Sequence, residues 1–303
     1  MTAVLEVLPR DAGIIYDFNK KHPPVMTVAS GTTIEIETYD CFQEQITSPD
    51  SVLSELDWEQ INPATGPVFV EGAKPGDVLK VKIEKIELAD QGVMMVGPDL
   101  GVMGHRIKEM EAKIIPIRDG KALFNDIEIP LNPMIGVIGV APAGDGVNCG
   151  TPGAHGGNMD NKMITEGATL YLPVFAEGAL FGLGDLHAAM GDGEISVTGI
   201  EVSGKVTVTL EVIKNVDLNH PMLENDEVFT QIASAETLEE AVKIATEEMI
   251  NRIVEKSGLS ISEATMLMSA AGQAEICQVV DPLMTVRFVV PKWLLTQLKV
   301  EFF

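Results

Sequence analysis

The chain reads as mainly β with an α+β part: a jelly-roll-like β-sandwich domain over residues 1–210 that carries the functional site, then a smaller α+β unit over 211–303. Three observations predict this. Up to about residue 204 the sequence consists of short β-rich runs broken by Gly, Pro, Asp and Asn. Helical periodicity with capping signals appears only after residue 236. Alternating strand character then returns at the C-terminal end.

The elements follow in order. Thr32-Thr-Ile-Glu-Ile-Glu-Thr38 alternates apolar and polar side chains with period two, as a strand with one wet face does. Lys74-Pro-Gly-Asp77 supplies a turn into a second strand over 78–88, whose alternation slips once at Glu84-Lys85, where a β-bulge would absorb it. Further strands are expected at 168–174, 194–202 and 205–213. Thr237-Leu-Glu-Glu240 is a capping box opening a helix in which Leu238, Ala241, Val242, Ala245, Met249, Ile253 and Val254 keep helical spacing up to Gly258. Ser260-Ile-Ser-Glu263 opens a second helix that ends at Gly272. Residues 274–280 and 284–290 return to strand, and Pro291 closes the last one.

With 303 residues, 46% of them hydrophobic, the chain can bury an extensive core. Its 45 acidic residues against 21 basic ones give a formal net charge of −24, a field that repels phosphate backbones and excludes nucleic acid as a partner. A neutral small molecule or a cation is compatible with that field. Cys41, Cys149 and Cys277 are odd in number and widely spaced, so they form neither a disulfide framework nor a zinc-finger pattern. The N-terminal residues lack the leader pattern of a basic patch before an apolar run, and no apolar run approaches the ~18 residues of a membrane span. These features predict a cytoplasmic protein with no membrane partner.

Chemistry concentrates in two glycine-flanked segments, 148–160 and 181–194. Asp185 and His187 are two residues apart, which on a strand points both to one face. With Asp160 as a further carboxylate they make a candidate site for a divalent metal, and a mixed oxygen and nitrogen donor set favours zinc. Asp192, in Gly191-Asp-Gly-Glu194, is a fourth candidate ligand. That fragment also suggests calcium, although it lacks the donor series of a full calcium loop. The alternative is that Asp185 and His187 only hydrogen-bond loop backbones. Glu194 and Glu71 are candidate general bases, since a carboxylate in a dry pocket can take a proton from water and return it. Cys149 is a candidate nucleophile with His155 as its base, against the alternative of a small buried apolar side chain. Gly156, Gly157, Asn158 and His155 are candidate substrate-binding residues, with glycine N–H groups available to an oxyanion.

Three ordered blocks carry a family resemblance. They are Asn62-Pro-Ala-Thr-Gly-Pro-Val-Phe-Val-Glu-Gly-Ala-Lys-Pro-Gly-Asp77; Cys149-Gly-Thr-Pro with Gly156-Gly-Asn-Met-Asp160; and Leu170-Tyr-Leu-Pro-Val174 through Gly184-Asp-Leu-His187 to Gly191-Asp-Gly-Glu194. In these the chain resembles the acetamidase/formamidase family. The resemblance implies hydrolysis of a short neutral aliphatic amide to ammonia and the carboxylate, a jelly-roll-like β domain with an α+β companion, and homo-oligomers of two or more chains. One position departs from it: Met190 stands where the family more often carries Gln, which would remove a donor and an acceptor from the site. Metal-activated water with a Glu base is the expected route. An acyl-enzyme on Cys149 is its mechanistic alternative, and a non-catalytic cation- or small-ligand-binding β-sandwich is the alternative of another class.

Overall fold

The structure, a computed structural model, describes residues 5–303. Two large sheets share one core. A nine-stranded sheet runs in the spatial order Glu6–Leu8, Thr32–Thr38, Gly204–Ile213, Val78–Leu88, Thr169–Pro173, Met222–Glu224, Val228–Ala235, Met284–Pro291, Gln273–Gln278. The second sheet is 11-stranded, and at its centre Phe181–His187 pairs with Met134–Gly139, Ala64–Val70 and Glu201–Val202. Ile34, Ile36, Val81, Ile83, Val206 and Val208 of the first sheet pack against Ile115, Ile135, Ile138, Leu183 and Leu186 of the second, so the two form a β-sandwich.

Local patterning explains the register. Thr32–Thr38 turns Ile34 and Ile36 inward and leaves Glu35 and Glu37 outside, where Lys205 on the adjacent strand lies 2.6 Å from Glu37. The phase slip at Glu84 is a bulge: Thr207 pairs with Lys85 and Val208 with Ile83, so Glu84 is skipped. Ile83 and Ile86 thereby both face the core. The strand expected at 194–202 is a correction, because only Glu201–Val202 is strand. Glu194 and Val197 hold φ values of 45° and 75°, left-handed conformations that interrupt any ladder.

The C-terminal third carries the helices α1 (Leu238–Ser257), α2 (Ile261–Ala271) and α3 (Lys292–Leu298). Thr237 caps α1 by accepting from the Glu240 N–H, Ser260 and Glu263 cap α2 reciprocally, and Gly258 ends α1 at φ 75°. The apolar stripe Ala245, Met249 and Ile253 buries against Phe229, Phe288 and Val290 of the sheet, forming a second core. The strand Gly204–Ile213 crosses the 210/211 boundary, and the nine-stranded sheet continues into the C-terminal unit where Thr169–Pro173 pairs with Met222–Glu224. The hairpin Gln273–Gln278/Met284–Pro291 then reaches back to the segment around Gly193, whose N–H donates to the Cys277 carbonyl at 2.8 Å. This contact places the hairpin beside the site. Among the described residues no helix is long and apolar enough to cross a membrane.

Candidate active site

His187 ends the central strand of the second sheet and is surrounded by carboxylates. Its Nε2 lies 3.2 Å from Glu201 Oε2, 3.5 Å from Asp185 Oδ2, 3.8 Å from Asp160 Oδ1 and 3.9 Å from Glu194 Oε1. All five side chains are buried. Pairing explains their meeting: Glu201 is the cross-strand partner of His187, while Asp160 follows the short strand Gly156–Asn158 on the other side of Met134–Gly139. Glu194 is delivered by the loop that Cys277 pins.

The backbone is bent to aim these groups. Asp160, Asp185 and Glu194 hold φ values of 40°, 55° and 45°, a conformation that costs a non-glycine residue energy and clusters at functional sites. Gly136 leaves room for two of them. A β-carbon on it would stand 2.3 Å from Asp185 Oδ2 and 2.5 Å from Asp160 Oδ1, so the missing side chain is the space those oxygens occupy.

The electrostatics follow from crowding. Burial, reinforced by Asp185, raises the pKa of Asp160. Burial, reinforced by Asp160, holds Glu194 well above the usual carboxylate range, and Glu201 is likewise raised by burial against the pull of His187. Burial works against a charged imidazole, but Glu201 and Asp185 outweigh it, and His187 is held well above its ordinary value. Several polar atoms make no hydrogen bond within the protein: both oxygens of Asp160, Oδ1 of Asp185, both ring nitrogens of His187 and Oε2 of Glu201. Buried polar atoms of this kind are normally satisfied. A divalent cation fits this donor set: one donor atom each of Asp160, His187 and Glu194 lies within 4.8 Å of the others, and Asp185 Oδ2 stands 3.5 Å from the same imidazole nitrogen.

The cluster opens on a cavity of about 100 Å³. Its lining is mixed, polar at Asn158, Asp185, Glu194, Glu201 and Asp281 and apolar at Phe42, Trp58, Ile61, Met95 and Leu100. Such a space suits a small molecule with one polar and one apolar end.

Comparison with known proteins identifies the family. The model of the acetamidase/formamidase family matches residues 14–147 and 143–296. The chain belongs to the acetamidase/formamidase family. A solved structure of a recombinant predicted acetamidase/formamidase from Thermoanaerobacter tengcongensis is 51% identical, with a TM-score of 0.96 over 98% of this chain and 99% of that one. An acetamidase structure from Bacillus halodurans is 44% identical, with a TM-score of 0.95 over 97% and 100% of the two chains. The acetamidase of Mycolicibacterium smegmatis is 27% identical over 65% of this chain and 66% of its own length. The formamidase of Methylophilus methylotrophus is 25% identical over 65% and 64%. This chain thus spans just under two thirds of the curated relatives it matches.

In this acetamidase/formamidase-family chain, Asp160, Asp185, His187 and Glu194 come together, Asn158 lines the cavity beside them, and the remaining sequence candidates lie elsewhere. Asp192 is engaged by Arg287 at 2.7 and 2.9 Å and by Lys162 at 2.7 Å. Although burial opposes it, these partners hold its carboxyl below the usual range, so it serves an ion-pair network rather than the ligand cluster. Glu71 is exposed in the turn after Ala64–Val70. Since Ala64 is the residue paired with Gly184, Glu71 sits about 20 Å further along that strand and cannot act as base at His187. Cys149 is packed among Ile15, Phe18, Ala64 and Val137, its thiol facing the Ile15 carbonyl at 3.6 Å, and burial pushes its pKa up. That is an inert thiol.

His155 packs edge-on against Phe18, away from the cavity, and burial lowers its pKa to about 4. The Gly156 N–H donates to Gly153, so it is not available to an oxyanion. Gly156 and Gly157 instead let the strand press against the Ile138 and Thr151 carbonyls. Of the four expected substrate-binding residues, Asn158 is the one that lines the cavity; its Nδ2 donates to Asp281 at 3.0 Å and its Oδ1 has no partner. Met190 lines an outer groove with Met94, Ile129 and Ile195, not the acidic cavity.

Sequence reasoning missed Glu201, Asp281 and Cys41. Glu201 reads as an ordinary polar position in an alternating run, and Asp281 lies in a hairpin turn of the far unit. Only the pairing of Glu201 with His187 and the return of the hairpin bring them in. Cys41 is presented by a turn that Asp40 holds by accepting from the Phe42 and Glu44 N–H groups at 3.0 and 2.8 Å.

Proposed function

We propose that this chain hydrolyses a short neutral aliphatic amide, of the size of acetamide or formamide, to ammonia and the carboxylate, assisted by a divalent cation held by Asp160, Asp185 and His187. The donor chemistry, imidazole with carboxylates, suits zinc. When bound, such a cation supplies Lewis-acid polarisation of the carbonyl and a lowered pKa for water.

The chain's own residues divide the remaining work. Glu194 lines the cavity beside His187, where it can accept a proton from the attacking water and return it to the departing nitrogen. The carbon–nitrogen bond then breaks with ammonia, not an amide anion, as the leaving group. Asn158 offers an unpartnered Oδ1 to the substrate N–H, and its orientation is fixed by the bond from Nδ2 to Asp281. Phe42, Ile61, Met95 and Leu100 supply the apolar lining for the acyl end, and the cavity volume favours a very short chain there.

The observation that carries this reading is four carboxylate oxygens within 3.9 Å of one buried imidazole nitrogen, two of them without a hydrogen bond, beside a cavity of about 100 Å³. The test is ammonia release from a panel running from formamide to longer amides. Metal-stripped protein is expected to lose activity and recover it with zinc or manganese, and Glu194→Gln to lose roughly 100-fold or more in kcat while still binding metal. Unchanged turnover after verified stripping would reject the cation's role, and no ammonia from any amide would reject the reaction.

A further inference from the structure

We infer that the same cavity contains a second divalent-cation position, built from Cys41, Asp185 and Glu201. The inference rests on the cation-assisted reading and adds to it. One oxygen each of Asp185 and Glu201 and the Cys41 sulfur lie within 4.8 Å of one another, and so, as a separate group, do donors of Asp160, His187 and Glu194. Cys41, Asp185 and Glu201 are 5%, 2% and 1% exposed.

Two independent observations point to a ligand there. Asp185 Oδ1 and Glu201 Oε2 are buried without a hydrogen-bond partner, although both residues face the cavity. The charge count is the other. Asp160, Asp185, Glu194 and Glu201 bring four carboxylates into one buried cluster, and a single divalent cation offsets half of their formal charge. With Cys41 bound as thiolate the ionised ligands carry five negative charges, so a second cation offsets two more of them and leaves one. Asp185 is suited to serve both positions, because its Oδ2 faces the Gly136 gap toward Asp160 while its Oδ1 remains unpartnered. Paired cations about 3.5–4 Å apart are a recurring arrangement in hydrolytic enzymes.

Cys41 gives the second position its chemical character. A sulfur donor beside carboxylates selects zinc, cobalt or cadmium over magnesium and calcium. Cation binding there displaces the thiol proton to solvent, so the sulfur binds as thiolate.

The experiment titrates the metal-stripped full chain with cobalt(II), reading bound metal by elemental analysis and sulfur ligation by the near-ultraviolet sulfur-to-cobalt absorption band. The expected result is two ions per chain with that band present. Cys41→Ser should remove the band and lower the stoichiometry to one, with Cys41→Ala as the second variant should serine disturb folding. Glu201→Gln should also lower it to one. One ion per chain in the unmodified protein, with no sulfur band, would overturn the second position and leave the first intact. Two ions with a band unchanged in Cys41→Ser would also overturn it. No bound cobalt at all would overturn both this inference and the cation-assisted reading beneath it.

Discussion

Arg287 and Asp192 meet as a two-pronged ion pair, Nη1 to Oδ1 at 2.9 Å and Nη2 to Oδ2 at 2.7 Å, although the arginine side chain is 1% exposed. The same guanidinium donates to Glu275 at 2.8 Å and to Asn161 Oδ1 at 3.0 Å. One side chain of the C-terminal hairpin therefore ties together the segments that present Asp160 and Glu194. The α+β unit is part of the scaffold of the site.

Arg287→Met should destabilise the protein by about 3 kcal/mol, because it leaves Asn161, Asp192 and Glu275 without their common partner. Asp192 is 31% exposed, so water screens part of the loss and places it at the low end for buried pairs. Arg287→Lys keeps the charge without the planar fork and should fall between. Urea unfolding measures both, and a loss below about 0.5 kcal/mol for the methionine variant would contradict this role.

Gly136→Ala tests the cradle. Gly136 does not adopt the left-handed φ that strains side chains, so alanine is conformationally acceptable, but its β-carbon would sit where Asp185 Oδ2 and Asp160 Oδ1 now lie. The variant should fold, with bound metal and amide turnover each reduced by roughly 100-fold, the scale of a 1 Å misplacement. Full metal content in a folded Gly136→Ala protein would show that these oxygens are not ligands.

Cys149→Ala should retain amide turnover within about twofold while losing on the order of 1 kcal/mol of stability from its apolar cluster. Glu71→Gln should change neither, since the side chain is exposed. Hydroxylamine trapping checks the first expectation directly: a hydroxamate formed by the unmodified protein and lost in Cys149→Ala would revive the acyl-enzyme route.

These outcomes trace what a linear reading can reach. Asp185 and His187 were legible because strand spacing puts both on one face, and Asp160 and Glu194 because glycines frame them. The helices were legible from their caps. Glu201 was not, since its role comes from a cross-strand pairing that no local pattern encodes, and Asp281 arrives from a hairpin more than a hundred residues from Asp160. Glu71 and Cys149 misled for the complementary reason. Turn-rich, glycine-rich surroundings look alike whether they border a cavity or a surface turn, and only burial and pairing tell them apart.

His155 provides a pH test independent of the acidic cluster. Burial is the cause of its lowered pKa, about 4 against 6.5 for an unburied imidazole, and its ring packs on Phe18. Between those values the unfolded chain binds a proton that the folded chain refuses, so stability rises with pH through this window and is lost as pH falls from 6.5 toward 4. By pH 5 the loss from this one group should be about 2 kcal/mol. The raised carboxylates at His187 slope the other way, because they are stabilised by acid and opposed by rising pH. The comparison is therefore between the unmodified protein and His155→Gln, each unfolded in urea at pH 5, 6 and 8. The glutamine variant should be the less stable at pH 8 and regain most of that deficit by pH 5. A deficit that stays constant across the three pH values would mean that His155 is not buried in its neutral form.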